Sequence, residues 1–147
     1  MSNKEYDIYR DSHWRYLGYA NEVGEAFRPL VPNFAVRASY LVAVSYVAAD
    51  TIDKALRTYN RRNSVEKAAI TGTDVFIWQM LASVLVPGFT INRITWFTSH
   101  ILQSAKVNKS MVRTLPTAAG LFAIPLIVHP IDRMVDYFMD NTFRKIF

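Results

Sequence analysis

The chain contains no cysteine. That excludes a disulfide framework, a thiolate metal site and a cysteine nucleophile. Only three histidines occur, and no metal-ligand spacing links them. No Walker loop, GxGxxG, GxSxG or HExxH motif is present, so the chain reads as non-enzymatic, with no cofactor or metal of its own. No apolar–polar alternation runs long enough to suggest strands, and no segment has low complexity. The opening residues, MSNKEYDIYRDS, are polar and include acids. They match neither a secretory signal nor an Arg/Ser-rich presequence, so any targeting information is expected to be internal.

Charge is also sparse. Charged residues make up 20% of the 147 positions and apolar residues 51%, with a formal net charge of +5. The mean hydropathy of +0.07 is high for a soluble protein and low for a protein of many spans. The basic residues are scattered and form no aromatic-interleaved surface, which argues against nucleic acid as a partner. The length suits one domain, so residues 1–147 are expected to form a single membrane-embedded helical domain.

Three apolar runs dominate what is there. Residues 34–49, FAVRASYLVAVSYVAA, carry one charge, Arg37 near the start, and small residues at every fourth position from Ala35, which permits close helix approach. Residues 73–86 form the second run, with Asp74 near its start and Trp78 and Gln79 within it, and Pro87-Gly88 is expected to break the helix. Residues 115–131 form the third, with Pro125 inside it. The segment after Arg93 is brief and charged, a candidate fourth, shorter element. Residues 50–67 read as a helix end followed by an exposed basic loop, with Ser64 as the N-cap of the next helix.

Amphipathic segments flank these runs. Residues 6–28 place Tyr6, Tyr9, His13, Tyr16, Ala20, Val23 and Phe27 on one helical face. Tyrosine rings are apolar with a polar tip, so this stripe is expected to meet lipid headgroups or a partner. Arg15, Glu22 and Glu25 fall on the opposite face, which reads as solvated. Residues 132–147 form the second such segment, with Asp132, Asp136, Asp140 and Arg144 in an i,i+4 row. Pro130 is expected to open this helix. Its neighbours His129, Asp132 and Arg133 complete the most concentrated polar cluster. Arg133 is expected to pair with Asp50 or Asp53, because the first and third runs end on the same side of a three-span bundle. A short echo links Ile52-Asp53-Lys54, Ile91-Asn92-Arg93 and Ile131-Asp132-Arg133, and no longer period supports it as a repeat.

Four blocks then carry a resemblance. They are YRDSHWRYLGYANEVGEAFRPLVP (residues 9–32), DVFIWQMLASVLVP (74–87), VPGFTINR (86–93) and IPLIVHPIDRMVDYFMD (124–140). In this order they resemble the mitochondrial fission process protein family, and together they cover most of the chain. Residues 53–67 resemble it least. The resemblance implies an integral protein of the mitochondrial inner membrane that affects division and has no catalytic activity. Within the blocks, the candidate interaction or structural positions are Tyr9, Arg15, Tyr16, Asn21, Glu22, Arg28, Asp74, Trp78, Pro87, Gly88, Asn92, Arg93, His129, Pro130, Asp132 and Arg133. Asp50 and Asp53 join them from the end of the first run.

The expected fold is therefore all-α: a small integral membrane bundle of about three hydrophobic helices with flanking amphipathic ones. Its expected partners are inner-membrane lipids and inner-membrane proteins, with a structural phospholipid as the one admissible small molecule. Two alternatives stand beside division. One is an accessory subunit of a respiratory assembly. The other is a transporter or proton-leak modulator, motivated by Asp50, Asp53, His129 and Asp132 at the ends of apolar runs. Basic residues fall on both sides of a three-span arrangement, so the positive-inside count chooses no orientation.

Overall fold

The computed structural model describes residues 7–146, and for Arg10, His13 and Trp14 the backbone alone. Tyr6 and the ring of His13, both assigned to the tyrosine stripe, lie outside the described parts, as does Phe147 at the C-terminal end.

Pro32, with extended backbone, starts the first long helix, α3 (Asn33–Arg62). Two short helices precede it, α1 (Ile8–Asp11) and α2 (Ala20–Phe27), joined by a tighter 3₁₀ segment at His13–Tyr19. The expected loop at residues 50–67 is mostly helix. No glycine or proline interrupts it, and Asp50–Lys54 (2.7 Å) and Asp53–Arg57 (3.1 Å) pair at i,i+4 along it. The turn shrinks to Asn63 and Ser64. Asn63 takes the left-handed conformation (φ 51°), which asparagine tolerates. Ser64 caps α4 (Val65–Gln79) by accepting a bond from the Lys67 N–H, as its position predicts.

Pro87-Gly88 does not end the second run. A π-helical turn, Met80–Leu85, links α4 directly to α5 (Val86–Ser104). A proline ring crowds the carbonyl one turn earlier and supplies no N–H. The widened turn absorbs both demands, and the Val86 N–H bonds back to Leu81. The result is one rod of 40 residues, Val65–Ser104, about 60 Å long at the α-helical rise. The candidate fourth element is thus the far half of this rod.

The third run lies inside α6 (Lys109–Asp140), which contains Pro116, Pro125 and Pro130. Pro130 is not a boundary. Ile127, Ile131, Val135 and Met139 form an i,i+4 row across it and pack on Trp78, Ala82 and their neighbours. That continuous apolar contact holds the helix together where one backbone bond is missing. The expected helix at 132–147 is therefore the end of α6, followed after a turn by α7 (Phe143–Ile146).

All three apolar runs lie in helices, and two helical segments, Val65–Ser104 and Lys109–Ile146, are long and apolar enough to cross a membrane. The first run is weaker because Arg37 and Asp50 close it at both ends, well short of the roughly 20 apolar residues of a full span. α3, the rod and α6 run alternately up and down. α2 stands among α3, α5 and α6, with Ala26 against Gly120 and Gly24 against Ser39. The expected single N-terminal helix is broken because its 3₁₀ part turns Arg15 inward. Gly18 leaves the room: a Cβ there would lie 2.8 Å from Arg15 Nη1 and 3.1 Å from the Tyr46 ring.

A Cβ on Gly24 would overlap Ser39 Oγ and lie 2.7 Å from Ser39 Cβ. Gly24→Ala should therefore destabilise the fold by about 1–3 kcal/mol, the usual range for overpacking. Thermal unfolding in mild detergent measures it, and adding Ser39→Gly should recover part of the loss.

Candidate functional site

The interior between these helices is polar. Asp7 accepts from Lys54 (2.6 Å), and Lys54 also pairs with Asp50 (2.7 Å). Gln79 Nε2 donates to Asp50 Oδ2 (2.7 Å), and Ser83 Oγ donates to Gln79 Oε1. Arg15 Nη1 donates to Ser83 Oγ (2.5 Å), and its Nη2 reaches Asp132 Oδ1 at 3.3 Å. One chain of contacts thus joins the N-terminal segment, α3, the rod and α6. The Arg15 guanidinium also lies 4.5 Å from the Tyr19 ring centre and 5.7 Å from that of Trp78, where ring faces attract a cation.

A second cluster sits further along α2. Glu25 takes a two-pronged bond from Arg28 (2.7 and 3.0 Å), one from Tyr40 Oη (2.6 Å) and one from Asn92 Nδ2 (2.9 Å). Burial alone would raise its pKa. The donated bonds from Arg28, Tyr40 and Asn92 outweigh that and hold it below the usual carboxylate range. Arg93 donates to Asn92 Oδ1 (2.6 and 3.1 Å), which orients the amide.

Asn21 and Glu22 lie between the clusters, both fully buried. Asn21 Nδ2 donates to the Val84 carbonyl (2.9 Å), in the π turn just before Pro87. Its amide and the Tyr40 hydroxyl come so close to Gly88 that a Cβ there would lie 2.8 and 2.6 Å away. Neither carboxylate oxygen of Glu22 receives a hydrogen bond. Burial pushes its pKa up to about 8; Arg15 acts against that shift and Asp132 adds to it.

The structure sorts the candidate residues accordingly. Arg15, Asn21, Glu22 and Asp50 are buried in this polar interior, Asn92, Arg93 and Asp132 are partly buried in it, Arg28 reaches it from the exposed side, and Trp78, Pro87 and Gly88 form its walls. Asp53 pairs with Arg57 on the surface. Asp74 binds Arg144 (2.7 Å), which also holds Asp136 and Asp140 and ties α7 to α4. Tyr9 packs edge-on against Tyr46 at 5.5 Å, whereas Tyr16 is 65% exposed. His129 and Pro130 are exposed.

Two expectations need correction. Arg133 is exposed and pairs with no carboxylate among the described residues. The ends of the first and third runs do meet, but Arg15 supplies the cation and Ser83 and Gln79 the bridge, because α6 turns Asp132 inward and Arg133 outward. Glu22 and Glu25 do not form a solvated face. They are the buried side of α2, while Val23 faces out. Sequence reasoning missed Glu25, Tyr40, Gln79 and Ser83 as site residues. Gln79 and Ser83 carried a signal, as polar side chains inside an apolar run.

Charged groups inside and apolar side chains outside define a small all-helical membrane protein. The chain belongs to the Mitochondrial 18 KDa protein (MTP18) family, whose profile matches residues 7–139. It is 52% identical over 147 residues to mitochondrial fission process protein 1 of Caenorhabditis elegans, covering 96% of this chain and 89% of that one. To the Homo sapiens protein of the same name it is 48% identical over 148 residues, covering 97% and 89%. No solved structure matches. The family is non-enzymatic and resides in the mitochondrial inner membrane.

Two outcomes test this core. The Glu22 carboxyl titrates near 8 when folded against an ordinary 4.5. Between those values the folded protein holds the extra proton, so stability is complete at the acid end and lost as pH rises through the folded value. The thermal midpoint in detergent should fall with pH across that window, and Glu22→Gln should flatten the profile. Arg15→Met should cost about 1–3 kcal/mol by removing the buried cation that Asp132 and Ser83 share, and Asp132→Leu in the same chain should return part of it, as a double-mutant cycle would show.

Proposed function

We propose that the protein serves mitochondrial division as a non-catalytic, membrane-embedded element that works through contacts of its outer helix faces with inner-membrane lipids and proteins. The role in division follows from the family. One observation carries the physical part: the distribution of side chains is inverted relative to a soluble protein. Glu22, Asn21, Asp50, Gln79 and Ser83 are buried without access to water, whereas Phe122 is 78% exposed, Leu126 68% and Phe89 66%. In water such a surface would invite aggregation. In a bilayer it faces hydrocarbon, while Asp50, Gln79, Ser83 and Arg15 bond one another inside.

A groove of about 620 Å³ between the N-terminal segment and α3 supports a structural phospholipid in this reading. Ile8, Tyr9, Leu17, Leu41, Val42 and Tyr46 line it, an apolar surface suited to an acyl chain.

Alkaline carbonate extraction of mitochondria should leave the protein in the membrane pellet. Complete release into the supernatant would overturn the embedded reading.

A further inference from the structure

Residues 75–131 contain no aspartate or glutamate. They do contain Arg93, Lys106, Lys109 and Arg113, and the last three gather where α5 turns into α6. Lys106, Lys109 and Arg113 are all exposed and form no ion pair among the described residues. The nearest acids on α2, Glu22 and Glu25, are buried, and Glu25 is already surrounded by donors. The opposite end differs. There acids accompany the cations: Lys54, Arg57 and Arg144 are matched by Asp7, Asp50, Asp53, Asp74, Asp136 and Asp140, and Arg62, Lys67 and Lys145 are exposed.

Backbone and ring geometry point the same way. Lys106 holds a left-handed conformation (φ 57°), a position that glycine or asparagine fills with less strain. Asn63 fills it in the other turn. A lysine there puts a cation at the tip of the turn despite the steric cost. Below it, Trp96 stacks on His100 (4.0 Å) and meets Phe97 edge-on (5.0 Å), while the Arg93 guanidinium lies 5.2 Å from the Trp96 ring centre. A tryptophan flanked by a long cation is a side-chain set that settles at headgroup depth.

We propose that this end of the helices docks the anionic phospholipid headgroups of the leaflet around it, through Lys106, Lys109 and Arg113. The inference rests on the membrane-embedded reading and adds a lipid class and a place. Unpaired cations beside an anionic surface gain up to about five-fold in affinity each, whereas paired ones gain little.

The test uses the full chain reconstituted in nanodiscs of phosphatidylcholine, alone or doped with phosphatidylglycerol, with lipids retained by the protein counted by native mass spectrometry. The wild type should retain phosphatidylglycerol in excess of its share of the bilayer. The variant K106N/K109Q/R113Q, which keeps a residue suited to the left-handed turn, should lose that excess. R57Q/R61Q/R62Q, at the opposite end, should keep it. Excess inorganic phosphate should displace nothing. Equal retention of both lipids by the wild type, unchanged preference in the first variant, or displacement by phosphate would each overturn the proposal. Stable insertion in the bilayer without lipid preference would defeat this inference alone, whereas failure to insert would defeat the embedded reading beneath it.

Discussion

A guanidinium among packed helices persists only where opposite charge and hydrogen-bond acceptors surround it. Arg15 meets that condition through contacts with four parts of the chain: Asp132 from α6, Ser83 from the π turn, the Trp78 face from α4 and the Tyr19 face from its own segment. None of these elements alone could bury the charge. Their arrangement and the position of Arg15 therefore depend on each other. Once Arg15 is drawn inward, the residues that follow must enter as well. α2 takes its place among α3, α5 and α6, carrying Asn21, Glu22 and Glu25 into the interior.

The irregular backbone of the rod has the same origin. Pro87 disturbs the bonding of the preceding turn, and the Asn21 amide occupies the Val84 carbonyl there. Gly88 lets Asn21 and Tyr40 approach the helix surface. The π turn, the proline, the glycine and the polar face of α2 thus form one joint. A bundle with this joint has a hydrogen-bonded interior and a hydrocarbon-compatible exterior, as a small protein in a bilayer requires. Mitochondrial division reshapes the inner membrane. A family protein with apolar faces turned outward meets that membrane directly.

The sequence by itself determined the all-helical class, the apolar runs and the family. Hydrophobic periodicity and length are local properties, and Ser64 as a cap could be read from immediate context. Which way a polar face points could not. The face of residues 6–28 that carries Arg15, Glu22 and Glu25 is an ordinary solvated face by pattern, and the tyrosine stripe opposite is by pattern the face that meets lipid headgroups or a partner. Helical periodicity locates two faces but does not say which solvent lies beside each. Likewise, proline and glycine at 87–88 and proline at 130 are breakers by local rule. The widened turn at Met80–Leu85 carries the rod through Pro87, and the row of Ile127, Ile131, Val135 and Met139 carries α6 through Pro130. Only the tertiary structure decided these matters, because each depends on a partner distant in sequence that supplies the missing hydrogen bond, the opposite charge or the packed surface.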